Sequence, residues 1–417
     1  MKEFIDHTVF MGMHSIEDNT RIACKNFFIE RLNSKNPIYF SLEQVGKCDD
    51  VIWSNFSNEI QAEYYPFMDH LHTLMNIKRL AYSQEEFLVA LKNKNLSGLS
   101  LIDKMVVSQV ISNKGVLRTT NQRLLNKKNI PVKNLKSGKE LEFPIKLEKL
   151  YQKSLSLRLY SKGIIPPLIT PINSQGNVDE KSVKNLINSV REYSSALMPT
   201  LSSGEGWALS SKQFSDMIRF TIKYSDDLPI YAGVEFKSTS DVIKYGLLAK
   251  DLGVDAIVIT TPFQKNISQE TIYQHFRSIW KKIKLPIFIY NEKAISGNEI
   301  SFNTILKICK LGNIIGIKEA SNNPDFTNKL IKKSSVPIFQ GWEHLCFKSK
   351  DVDGYILPLC NLEPKFCSEM LKNPTKKMQN KINQLCERYN LVGDDWYVYL
   401  KKELKRRKII VTDRAVK

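Results

Sequence analysis

The sequence predicts an α/β protein in two parts: an eight-stranded (β/α)8 barrel over residues 156–417, preceded by a smaller α/β domain over residues 1–155. Three observations carry this. From Gly163 onward short apolar runs alternate with amphipathic helical stretches. The polar residues of those runs gather at their C-terminal ends, where a barrel keeps its chemistry. The length of 417 residues leaves room for more than one domain.

The runs expected as strands are Gly163–Thr170, Ala196–Thr200, Pro229–Glu235, Asp255–Pro262, Pro286–Asn291, Ile314–Glu319, Val336–Gly341 and Gly354–Leu359. Helical patterns fall between them at Ser182–Tyr193, Ser211–Tyr224, Ser240–Leu252, Gln269–Lys282, Phe302–Leu311 and Asp325–Lys333. Ser211 and Ser268 supply helix-start chemistry. An open doubly wound sheet would favour a glycine-rich loop after the first strand, and Thr170-Pro171-Ile172-Asn173 is not one. At the expected C-terminal rim stand Ser202-Ser203-Gly204-Glu205, Thr260-Thr261, Tyr290-Asn291, Lys318 and Gly341-Trp342-Glu343.

Lys318 is the most informative of these. It ends the apolar run Ile314-Ile315-Gly316-Ile317. Burying an ammonium pushes its pKa down, by roughly 3–5 units in the extreme. A neutral amine is what attack on a ketone requires. A lysine at a strand end can also snorkel to water, and the residues around it decide between the two.

The first 155 residues have another texture. Phe4–Phe10 reads as a short strand with Asp6 near its centre. Tyr39–Cys48 carries Glu43 in an apolar frame, Leu101-Ile102-Asp103 opens a helix, and Gly115–Asn121 reads as a strand ending in a polar turn.

Composition bounds the partners. A hydrophobic content of 42% indicates a globular chain, and no apolar run approaches a membrane span of roughly 20 residues. The N-terminal residues show no charged segment followed by an apolar block, so a cytoplasmic protein is expected. The 7 cysteines form no CxxC pair and read as reduced, mostly buried thiols. The net charge of +18 invites a nucleic-acid partner, although abundant Lys, Asn and Ile also fit a general compositional bias. Basic residues concentrate between Lys114 and Lys162, Arg158 among them, as either a solvated linker or a phosphate-binding patch.

Residues 163–364 resemble the class I aldolase family of dihydrodipicolinate synthase and N-acetylneuraminate lyase, which are (β/α)8 TIM barrels. The residues that carry the likeness are Gly163–Pro171, Ser202-Ser203-Gly204-Glu205, Val258–Phe263, Tyr290-Asn291, Gly316–Ser321 and Gln340-Gly341. The interval between Tyr290 and Lys318 is also the family's. The resemblance implies that Lys318 captures a 2-oxo acid of the pyruvate type as a Schiff base, with an aldehyde as second partner and no cofactor. It gives Tyr290 a proton-transfer role, makes Ser202 and Ser203 the holders of the substrate carboxylate, and lets Gly341 approach the bound acid closely. A homo-oligomer is expected too.

This sequence departs from the pattern in several places. Ile295 stands where the synthase branch has an arginine, which removes a carboxylate clamp. Gln264 stands where the family lends a second tyrosine across a subunit interface, and an amide cannot ionise. Glu292 and Lys293 replace an apolar-proline pair. The segment after the eighth strand is shorter than the family's, which bears on its tetramer.

The N-terminal part resembles, more faintly, PIN-like nuclease domains, which hold Mg²⁺ or Mn²⁺ on converging acids. The likeness implies Asp6, Glu43 and Asp103 as ligands, with Asn121 where a fourth acid would fall. RNA would then be a partner; the alternative is a degenerate fold kept for docking. The readings for the chain are therefore a Schiff-base lyase or aldolase acting on a non-standard substrate, a metal-dependent ribonuclease with the barrel as ligand sensor, or a scaffold.

Overall fold

The computed structural model describes residues 2–15, 18–55, 58–136, 138–155, 162–226, 228–311 and 314–416, in two compact units, Met1–Leu159 and Tyr160–Lys417.

In the first unit, the described residues form a five-stranded parallel sheet of β1 (Glu3–Ile5), β2 (Ile38–Ser41), β3 (Ile77–Leu80), β4 (Val116–Arg118) and β5 (Val132–Lys133), in the order β3-β2-β1-β4-β5. Alternate side chains part to opposite faces. Ile5, Ile38 and Phe40 pack with Phe10, Phe28 and Phe67, whereas Phe4 and Leu117 pack with Val107 and Val110.

Two expectations change here, and Glu43 finds its place. The strand expected over Phe4–Phe10 stops at Ile5, because Asp6 caps the helix His7–Gly12 by accepting from the Thr8 and Val9 amides. Glu43 lies in the first turn of the helix Leu42–Asn55, after β2 has ended. The basic stretch is no linker: it contains β4, β5 and the helix Ile145–Ser154. Within it the buried Tyr151 hydroxyl donates to the Met13 carbonyl at 2.7 Å, and Glu140 accepts from Arg21 and Lys25 at 2.8 and 2.9 Å. Arg158 lies outside the described residues. Asp103 does open a helix, Leu101–Ser112, capped by Ser100.

The second unit holds β6 (Gly163–Ile164), β7 (Tyr231–Gly233), β8 (Ala256–Ile259), β9 (Ile287–Asn291), β10 (Ile314–Glu319), β11 (Ile338–Gln340) and β12 (Gly354–Tyr355), hydrogen-bonded in the order β6-β12-β11-β10-β9-β8-β7, all parallel. The ring closes through residues 194–198, which bridge Ile164 and Pro167 on one side and Ile230 on the other. These residues take the eighth staves' place without becoming a regular strand. Pro166, Pro167 and Pro199 explain why: each lacks the N–H that a continuous ladder needs. Pro358 likewise starts a 3₁₀ turn that cuts the last strand to Gly354–Tyr355.

The helices follow the predicted beat, as in Ser211–Tyr224 and Gln269–Ile283. The former is capped by Ser210, one residue before the expected Ser211, in a reciprocal box with Gln213. Side chains such as Ile257, Ile259, Ile287 and Ile289 pack outward against helices. Tyr231, Val258, Phe288, Tyr290, Ala320 and Phe339 fill the barrel interior. Among the described residues no helix is long and apolar enough to cross a membrane. None of the seven cysteines is in a disulfide, and all but Cys309 are buried.

Candidate active site

The interior alternation places the chemistry. On β9 it runs Phe288, Tyr290, and on β10 Gly316, Lys318, with Tyr290 and Lys318 as Cα partners in the ladder. Lys318 is 4% exposed, so the snorkelling alternative fails. Its ammonium nitrogen sits 3.9 Å from the centroid of the Tyr290 ring. Burial pushes the Lys318 pKa below the ordinary lysine value, against the opposing pull of the Glu235, Glu292 and Glu343 carboxylates. Burial and the Glu292 and Glu235 charges drive the Tyr290 phenol well above its usual range, so it keeps its proton. Its oxygen lies 3.4 Å from Ser202 Oγ.

Ser202-Ser203-Gly204 form a buried 3₁₀ turn, and Glu205 follows in the left-handed region at φ 53°. Thr170 donates to the Gly204 carbonyl at 2.7 Å. Gly233 lets the turn lie against β7, since a Cβ there would stand 2.6 Å from Leu201 N and from the Thr200 carbonyl oxygen. From below, Glu205 forms a buried ion pair with Lys401 of the helix Trp396–Arg406 and accepts from the Val416 amide at 2.7 Å. The C-terminal segment thus braces the serine turn.

Three carboxyl groups interact with Lys318, and burial raises the pKa of each. Glu292 caps the helix Lys293–Ser296, accepting from the Ala294 amide at 2.8 Å. Glu343 accepts from the Leu359 amide at 3.1 Å. Glu235 has no hydrogen-bond partner on either oxygen among the described residues; the Ser202 hydroxyl is near enough to favour its charge but lacks hydrogen-bond geometry.

Gly341 lies against the lysine side chain. A Cβ at this position would lie 3.3 Å from Lys318 Cε and 2.9 Å from Ala320 Cβ, so the glycine makes room for the lysine itself. Ile295 is half-buried against the interior cluster that includes Tyr290. Gln264 is not brought into this group. Its side chain is exposed, while its carbonyl accepts from Asn298 Nδ2 at 2.7 Å, which ties the backbone and leaves the amide in solvent. Sequence reasoning passed over Glu235 and the Glu205–Lys401 pair. The signal for Glu235 was the period of two from Tyr231 through Gly233; none announced Lys401.

In the first unit the expected ligand set does not assemble. Among the described residues, no group of three or more His, Cys, Asp or Glu side chains could hold a metal ion. Asp6 accepts from the Thr8 and Thr119 hydroxyls, Glu43 from Tyr82, and Asp103 from Asn121 at 3.2 Å. Asp6 and Glu43 are thus engaged by neutral donors, and the acids do not gather into a metal-holding group among the described residues.

A family model described as dihydrodipicolinate synthetase family matches residues 160–415, and one described as a family of unknown function (DUF6190) matches residues 1–164. The PIN-like reading and its RNA partner find no support among these matches. A 4-hydroxy-tetrahydrodipicolinate synthase of Bartonella bacilliformis is 30% identical over 216 residues, covering 50% of this chain and 74% of that one. Its counterpart in Sodalis glossinidius is 34% identical over 163 residues, 39% of this chain and 56% of that one, so less than two thirds of its length is spanned. The chloride-inhibited dihydrodipicolinate synthase of Acinetobacter baumannii, solved in complex with pyruvate, superposes with a TM-score of 0.57 at 25% identity, over 61% of this chain and 91% of that one.

Proposed function

The chain belongs to the dihydrodipicolinate synthetase family, enzymes of the lysine Schiff-base aldolase class, and we propose that its barrel joins or cleaves a carbon–carbon bond on a 2-oxo acid of the pyruvate type. One observation carries the reading: Lys318 is buried with a depressed pKa and stacked on Tyr290. Its free amine attacks the ketone carbon. Ser202 and Ser203, with their backbone amides, receive the carboxylate. Tyr290, held protonated, donates toward the oxygen leaving the carbinolamine. The enamine that follows adds to an aldehyde, or the reverse sequence releases one.

The aldehyde is a non-standard one. Ile295 presents a hydrocarbon surface beside Tyr290 where a guanidinium would grip a second carboxylate. The test is borohydride reduction of the protein with pyruvate, followed by peptide mass mapping. A mass addition at Lys318 supports the reading, and its absence in folded protein overturns it.

A further inference from the structure

Glu235 is a carboxyl group without a structural task. Tyr231 faces the interior while Ala232 and Val234 face the helices. The same alternation turns Gly233 and then Glu235 inward. The ladder carries it across the barrel. Gly233 pairs with Val258, Val258 with Phe288, and Tyr290 with Lys318. Two residues further along each strand, Glu235, Thr260 and Tyr290 stand on the level of Lys318. The Val234 amide still donates to the Val258 carbonyl at 2.8 Å, so β7 and β8 remain together to that height.

Glu235 is 1% exposed, and both its oxygens lack a hydrogen-bond partner. Its companions Glu292 and Glu343 are each committed to a backbone amide. A buried, unpaired carboxyl is costly unless a ligand completes it. It faces Lys318, Tyr290 and Glu292 within one chamber.

We propose that Glu235 is the proton-transfer residue of the imine cycle, acting first as acid and then as base. This rests on the aldolase reading above. Lys318 adds to the ketone and gives a carbinolamine. Tyr290 passes its proton to the hydroxyl and is reprotonated from the carboxyl of Glu235, the C–O pair leaves with water, and the nitrogen lone pair forms the iminium. The carboxylate so produced takes a proton from the neighbouring carbon, and the C–H pair becomes the enamine double bond as the C=N pair returns to nitrogen. Glu235 ends protonated, as it began. Tyr290 cannot do both halves, because its phenolate is suppressed by burial. A carboxyl raised toward neutrality can exist in either form.

The test uses the full chain with pyruvate in D₂O. Methyl-proton exchange is followed by NMR, and borohydride trapping at Lys318 is measured in parallel. In Glu235→Gln, trapping at Lys318 persists on long incubation, and exchange falls by roughly 10²-fold or more. Exchange at the wild-type rate in a variant that traps overturns the proposal alone. If the wild-type protein neither traps nor exchanges, the aldolase reading falls and this proposal with it. Should the glutamine variant not trap, Glu235→Asp replaces it. Retreat by one methylene then slows exchange by about 10²-fold with trapping retained, and an unchanged rate is again the overturning result.

Discussion

Lys318 and Tyr290 are partners across the β9–β10 ladder, and the ammonium nitrogen lies 3.9 Å from the phenol ring centroid. The ring is thus both a wall that keeps water from the amine and the support of a hydroxyl that reaches Ser202. Tyr290→Phe keeps the wall and removes the hydroxyl. Turnover should fall by roughly 10²–10⁴-fold, as for a lost proton donor, while pyruvate is still trapped on Lys318. A variant with unchanged turnover would remove Tyr290 from the proton path.

Lys318→Ala removes the amine proposed to form the imine, so trapping and turnover should both vanish. The fold should survive, because the lysine makes no hydrogen bond that a neighbour depends on. With Lys318 gone, Glu235 loses the charge that opposes its neutral form. Thermal unfolding monitored by circular dichroism should therefore show a cooperative transition. Residual imine formation in a folded Lys318→Ala protein would assign the chemistry to another amine.

What was legible in the sequence follows physical lines. Lys318 and Tyr290 sit inside apolar runs where a polar residue is conspicuous, so their positions could be read, whereas the burial of Lys318 is decided by the fold. Glu235 obeys the same alternation and closes the strand expected over Pro229–Glu235, but an acid at a strand end reads equally well as facing water, and the ladder itself stops at Gly233. The strand expected over Phe4–Phe10 failed because a short apolar run fits a period of two or of 3.6 equally well. Asp6 then served as a helix cap, which only the hydrogen bonds reveal. Gln264 could be placed after a strand, but which way a loop side chain turns depends on a distant partner, here Asn298.

Gly341 should tolerate no side chain. In Gly341→Ala the new carbon would lie 2.9 Å from Ala320 Cβ, 3.1 Å from the Glu319 carbonyl oxygen and 3.3 Å from Lys318 Cε. No side-chain rotation relieves the approach to Ala320 Cβ, so the strand that carries Ala320 and Lys318 shifts and the lysine is displaced with it. A misplacement of about 1 Å costs on the order of 10²-fold in rate. The imine should form slowly in rapid-quench trapping with borohydride, whereas wild-type trapping kinetics would show that the lysine has slack.

Glu319 gives the barrel a pH dependence. Burial pushes its pKa up to about 7, although Asn291 and the Ser321 amide both donate to it. A carboxyl whose folded pKa exceeds its unfolded value of 4.5 holds its proton longer in the native state. Between those two values the native state binds more protons, so stability falls as pH rises from about 4.5 to about 7 and is level above. The loss is on the order of 3 kcal/mol. Denaturant unfolding across this window should show the decline, and Glu319→Gln should flatten it. An equal slope in the variant would place the titration elsewhere.

The Glu205–Lys401 pair links the serine turn to the last helix, with side chains 3% and 0% exposed. Either charge left alone would be stranded in the interior. Lys401→Met or Glu205→Gln should each destabilise the second unit by roughly 3–5 kcal/mol, the usual cost of breaking one partner of a buried pair. The double variant should recover a large part of that loss, since neither charge then remains, and a double-mutant cycle in denaturant measures the coupling. Lys401 contacts neither Lys318 nor Tyr290, yet its loss frees the turn that carries Ser202 and Ser203. Lys401→Met should therefore raise the KM for the 2-oxo acid more than it lowers kcat. A variant that is destabilised with an unchanged KM would show that the turn holds its shape without the brace.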